Sequence, residues 1–85
     1  INAITDMHVL IYPNPTDAII HIQFDQQQDI NHIQVFNVFG KICYQSNGQI
    51  EKEIKIDLSN FSNGVYIIQI NTRDFIQNYQ VIKQG

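Results

Sequence analysis

The sequence predicts an all-β domain, a β-sandwich with Greek-key connections, and three observations carry that prediction. Isoleucine is abundant while leucine and alanine are scarce. β-Branched side chains suit a pleated surface and crowd a helix. Apolar and polar residues alternate with a period of two, and no window longer than about ten residues keeps a helical period. Turn signals recur about every 8–12 residues and bound about seven short strand-like runs. With 85 residues the chain makes one domain rather than two. A domain of this size buries only about 60–65% of its unfolded surface, so its expected stability is modest, roughly 4–13 kcal/mol.

The elements follow in order. Residues 1–6 read as a linker to an absent preceding domain, and residues 7–85 as the folded domain. Met7 to Tyr12 is the first expected strand. Tyr12-Pro13-Asn14-Pro15-Thr16 stops it, because each proline lacks an N–H, holds φ near −65° and pushes the preceding residue toward extended backbone. Asn14 and Thr16 have side chains able to satisfy nearby backbone groups. In the next strand Ala18, Ile20, Ile22 and Phe24 face inward, with His21 and Gln23 outside. Asp25 to Asp29 is expected as a polar connection. Ile33 and Val35 then alternate with His32, Gln34 and Phe36, and Asn37-Val38-Phe39-Gly40 is a turn. Lys41 to Gln45 is a short strand and Ser46 to Gln49 a second turn.

Glu51 to Leu58 is the clearest amphipathic strand, with Ile54, Ile56 and Leu58 inward and Glu53, Lys55 and Asp57 outward. Ser59 to Gly64 forms a loop in which Phe61 folds back as a plug. The run from Gly64 to Ile70 is the organising strand, with Tyr66, Ile68 and Ile70 on one face and Val65 and Ile67 on the other. A strand apolar on both faces is expected to be covered on both sides and to lie mid-sheet. Asn71 to Asp74 turns the chain, and Phe75 to Lys83 is the last strand.

The chemistry-bearing residues point to no catalytic, cofactor or metal site. The net charge is −3 and the five basic residues are scattered, which leaves no electrostatic footprint for nucleic acid. No apolar run approaches the roughly 20 residues a membrane helix needs. The chain opens on Ile1 with neither an initiator methionine nor a signal peptide, so it is expected to be a piece of a longer protein. His8, His21 and His32 are too widely spaced for a sequence-level zinc motif and are expected to be exposed. Asp17, Asp25, Asp29, Asp57 and Asp74 sit in or beside expected loops without a calcium-loop pattern. Ser46, Ser59 and Ser62 lack a G-x-S-x-G setting. Cys43 is the only cysteine, which excludes an internal disulfide, and is expected to be a buried, inert thiol. Tyr12, Tyr44, Tyr66 and Tyr79 suit a core better than a sugar platform, with Tyr66 placed to make a tyrosine corner.

Three blocks together resemble one family. They are Tyr12-Pro13-Asn14-Pro15-Thr16, then Val35 to Lys41 with its Gly40-Lys41 hairpin, then Ile56 to Ser59 leading to Gly64-Val65-Tyr66 and closing on Val81-Ile82-Lys83. In order, spacing and position they are similar to the C-terminal sorting domain of the type IX (Por) secretion system of Bacteroidota. The resemblance runs from about Val9 to Gln84, and Gly85 is a small excess beyond the family's basic ending. It implies an immunoglobulin-like, seven-stranded antiparallel sandwich that acts as an address label. A cargo domain precedes it in the same chain and enters the periplasm. The label is then recognised by an outer-membrane translocon and a shuttle protein, and a sortase-like peptidase cuts it off. The cargo reaches the medium or the cell surface. The signal residues so implied are Tyr12, Pro13, Asn14, Pro15, Thr16, Gly40, Lys41, Gly64, Val65, Tyr66, Val81, Ile82 and Lys83.

A last strand with a free edge would be readable by strand addition, and would also permit a strand-swapped homodimer. The competing reading is an immunoglobulin-like or fibronectin-like module that binds carbohydrate or mediates adhesion for a secreted enzyme. It requires an exposed aromatic row or a calcium loop. A passive spacer is a third reading.

Overall fold

The computed structural model describes residues 4–5 and 9–85. It contains β1 (Ile4–Thr5), β2 (Val9–Tyr12), β3 (Ile19–Phe36), β4 (Ile42–Asp57), β5 (Gly64–Thr72) and β6 (Ile76–Lys83). Every strand pairing is antiparallel, in one curled sheet ordered β1-β2-β3-β5-β6, with β4 also paired to β3. Met7 and His8 of the expected first strand lie outside the described residues. So does most of the expected linker, of which Ile4 and Thr5 pair with Ile11 and Leu10.

The curl comes from β3 and β4. The start of β3 pairs with β2, through Val9↔Phe24 to Tyr12↔His21. Its end pairs with β5, through Ile30↔Thr72 to Phe36↔Ile67. β4 runs beside both halves, and its register shifts between Gln23 and Gln28. A shift of this kind bends a strand and raises its local twist. Two expected breaks are therefore corrected. Asp25 to Asp29 is not a connection but the exposed middle of β3, and Ser46 to Gln49 is not a turn but part of β4. Gly48, at φ 59°, lets β4 bend there without reversing. Among the described residues the expected seven strands thus appear as five, β2 to β6, two of them long, and β1 lies in the expected linker.

One cluster forms the core. Ile20, Ile22 and Phe24 of β3 meet Ile54 and Ile56 of β4, Val9 and Ile11 of β2, Tyr66, Ile68 and Ile70 of β5, and Tyr79 and Val81 of β6. Those of β3, β4 and β5 are the inward positions that the alternation predicts. The burial phase of β3 changes from Ile30 to Ile33 and Val35, where its register against β5 also shifts between Ile30 and His32. A bulge re-aims the side chains that follow it, so both halves of a long strand keep an apolar face inward.

β5 lies between β3 and β6, as a central strand should. None of the described strands covers its outer face. Val65 and Ile67 are half-buried and line an open groove of about 560 Å³ with Phe36, Val38 and Asn78. Cys43 is also corrected: it is exposed, because the register slips between Val35↔Tyr44 and Phe36↔Ile42 and drops Cys43 out of the alternation.

Candidate functional site

The Tyr12-Pro13-Asn14-Pro15-Thr16 segment lies along the outer edge of β6 and occupies its backbone groups. The Asn14 amide donates to the Gln80 carbonyl at 3.3 Å, and Asn14 Oδ1 accepts from the Ile82 N–H at 2.9 Å. Thr16 continues the contact with its own backbone. Its N–H donates to the Ile82 carbonyl, and its carbonyl accepts from the Gln84 N–H, both at 2.9 Å. Thr16 and Lys83 form an isolated parallel bridge. The free edge expected at the chain end is therefore closed over residues 80–84. Proline cannot contribute an N–H to a ladder, so the segment alternates, with Asn14 bonding through its side chain and Thr16 through its main chain. Both prolines follow cis peptide bonds.

Thr16 also holds the start of β3. Its hydroxyl donates to the Ile19 carbonyl at 2.8 Å and accepts from the Ala18 N–H at 3.2 Å. At 2% exposure, it is buried with these polar groups satisfied. The nearby Ala18 carbonyl takes the Leu58 N–H at 2.8 Å. The segment thus ties together β3, the end of β4 and β6.

The other end of the staple is Lys83. It is only 6% exposed, and its ammonium donates to Asn63 Oδ1 at 3.2 Å. Its backbone pairs with Gly64. A buried ammonium with a polar partner is a structural tie rather than a free surface charge. Two residues beyond Gly64, the tyrosine corner forms as expected. The Tyr66 hydroxyl donates to the Ser62 carbonyl at 2.6 Å, and the ring packs against Phe61, with centroids 5.4 Å apart. Phe61 packs on the core as the expected plug, and its N–H bonds the Leu58 carbonyl. Asp57 Oδ1 accepts from the Ser59 N–H at 2.8 Å at the start of this loop. The Ser59 hydroxyl and then the Ser59 N–H hold the Asp57 carboxyl below the usual carboxylate range.

The structure thus brings together Pro13 to Thr16, Gly64, Tyr66 and Val81 to Lys83, which are far apart in sequence. Asn63 and Ser62 complete the assembly, although the sequence placed them only in the Ser59 to Gly64 loop. Tyr12 faces away. It stacks on His21 with ring centroids 5.0 Å apart, and His21 Nδ1 lies 3.5 Å from Glu53 Oε2. His21 is half-buried rather than exposed, and so is His32. Gly40 and Lys41 belong to a separate turn. There Asn37 Oδ1 accepts the N–H groups of Phe39 and Lys41, and Gly40 adopts φ 80°. That turn holds Phe39 almost fully in solvent, at 90% exposure. A cleft of about 440 Å³ separates it from the Asn60 to Tyr66 loop. Val65 lies on the outer face of β5, in the open groove.

Of the signal residues, Thr16, Tyr66, Val81 and Lys83 are buried, while Pro15, Gly40, Lys41 and Gly64 are exposed. Asn14, Thr16 and Lys83 among them hold the chain end in place. Among the described residues, no group of three or more His, Cys, Asp or Glu is placed to hold a metal ion.

Residues 10–84 match the family described as the secretion system C-terminal sorting domain. The chain is also similar to the ulvan lyase NLR42 of Nonlabens ulvanivorans, at 35% identity over 65 residues. That alignment covers 75% of this chain and 12% of the lyase, so the chain spans a small part of the relative's length.

Proposed function

The chain belongs to the family of type IX secretion C-terminal sorting domains, and from that premise we propose that it is an address label read as a folded, stapled edge. Its family role is to direct a protein to the cell surface or the medium. The observation that carries the proposed mode of reading is the closure of β6 by Asn14 and Thr16. A label must survive passage through the periplasm in one shape, and a terminal strand closed on both sides resists fraying and stray strand pairing.

The machinery then meets a composite surface rather than a bare edge. Pro15, Asp17, Gln80, Gln84 and Gly85 are its exposed members. The buried signal residues act by fixing this surface. The proposed readers are the outer-membrane translocon and its shuttle protein, with a sortase-like peptidase cutting ahead of the domain. A cargo domain precedes it in the same protein. The domain itself performs no chemistry in this account.

We also infer that the curled sheet corresponds to a seven-stranded immunoglobulin-like sandwich. β3 pairs with β2 through its first half and with β5 through its second, and the register against β4 shifts between Gln23 and Gln28, so β3 and β4 each count as two strands, which with β2, β5 and β6 makes seven. The tyrosine corner at Tyr66 supports the same assignment. The carbohydrate-binding alternative draws no support from the tyrosines. Tyr66 and Tyr79 are buried, Tyr44 packs on the core, and Tyr12 lies flat against His21.

The test is a reporter carrying a periplasmic signal peptide, fused ahead of these 85 residues in a Bacteroidota host with an intact translocon. The reporter is expected at the surface or in the medium. Its retention in the periplasm would contradict the proposal.

A further inference from the structure

The sheet has another edge, on β4. Among the described pairings β4 binds only β3. Its far side therefore presents backbone N–H and C=O groups, the template for adding a strand. The two halves of β4 differ in how they manage this. Residues 51–57 include Glu51, Lys52, Glu53, Lys55 and Asp57, and charges of this kind discourage a foreign strand. The run Ile42-Cys43-Tyr44-Gln45-Ser46-Asn47-Gly48-Gln49-Ile50 has neither a charge nor a proline. Its end residues are exposed apolar side chains, Ile42 at 45% and Ile50 at 62%.

This run is complementary to itself. Laid antiparallel against a second copy about a twofold axis at Ser46, it places Ile42 opposite Ile50, Tyr44 opposite Gly48 and Gln45 opposite Asn47. One step outside the run, Lys41 falls opposite Glu51, and both are exposed. The twofold axis produces each of these pairs twice, as an isologous contact requires. Opposite charges and apolar residues facing each other across strands are favourable pairs. An aromatic ring beside a strand glycine fills the space that the glycine leaves, and nothing lies within 4 Å of where a Gly48 Cβ would be.

We propose that this chain pairs with a second copy of itself through the 42–50 edge of β4, in antiparallel register centred on Ser46. The paired edges join two curled sheets into one continuous sheet. This contact is distinct from an exchange of β6, which the Asn14 and Thr16 staple opposes. It does not rest on the export reading.

Sedimentation velocity and light scattering over a concentration series test it. The mass is expected to rise from 9.9 kDa toward twice that value. Ile50→Lys is expected to leave a monomer at the same concentrations with an unchanged circular dichroism spectrum, because Ile50 is outside the core. Lys41→Glu is expected to weaken the dimer by placing like charges opposite each other, and Lys41→Glu with Glu51→Lys to restore it. A wild-type chain that stays monomeric up to millimolar concentration overturns the proposal. So does a dimer indifferent to Ile50→Lys, or one abolished by Ile76→Lys on β6. A monomer that instead captures an unrelated extended peptide on β4 overturns self-pairing as well.

Discussion

Tyr66 shows how one residue serves both the core and the loop above it. Its ring is buried and its hydroxyl closes a 2.6 Å bond to the Ser62 carbonyl. Tyr66→Phe keeps the ring and loses the bond. Chemical denaturation is expected to show a loss of about 1–1.5 kcal/mol, the net value of one such bond. Ile68 is fully buried, so Ile68→Ala is expected to cost more, about 2–5 kcal/mol, because a cavity adds to the lost transfer energy. Equal losses from the two substitutions would contradict this division. Asp57 gives a pH dependence. Its carboxyl is held below the usual range by Ser59, so the folded state is favoured while that group is ionised. The contribution is present above the unfolded pKa and is lost as pH falls through the lower folded value. An Asp57→Asn variant is expected to lose part of the decline in stability on the acid side of the ordinary carboxylate range. An acid-side slope identical to that of the unsubstituted chain would refute the assignment.

At the scale of the element, the staple makes a local prediction. Asn14→Ala removes the acceptor of the Ile82 N–H and the donor to the Gln80 carbonyl. Faster amide exchange is expected at Ile82, with Tyr79 and Val81, which face β5 in the ladder, little changed. Uniform acceleration across β6 would mean that the segment supports the whole strand instead of its edge. Asn14 reaches partners 66 and 68 residues away, and this explains why the staple is illegible in the sequence. Proline spacing announces a stiff segment but says nothing about which remote backbone it meets. The strands themselves were legible wherever one face is apolar and the other polar, as in Ile54 to Leu58, and in the β-branched run from Val65 to Ile70. Two breaks were misread for one reason. The Asp25 to Asp29 run and the Asn47-Gly48 pair carry turn residues, yet the long β3 and β4 ribbon absorbs them as a register shift and a bend. Ile30 was missed because it sits beside that polar run, although it is buried in the core.

For the whole molecule, the structure changes how the signal blocks relate to one another. They are distant in sequence, and most of them converge on the end of β6. The Gly40-Lys41 turn stands apart and presents Phe39 to solvent. On the proposed reading the buried members, Thr16, Tyr66, Val81 and Lys83, act through the shape they impose. Deleting Val81 to Gly85 would remove Val81 and Lys83 from the interior as well as the terminus, so such a truncation confounds unfolding with loss of the address. Point substitutions at the staple separate them. The most direct test measures export of the reporter fused to the Asn14→Ala chain, in parallel with thermal unfolding of that same chain. The account predicts a domain still folded at the growth temperature, with a clear shift of reporter from the surface and medium to the periplasm. Export equal to that of the unsubstituted chain, from a domain whose Ile82 amide is shown to exchange freely, would contradict it.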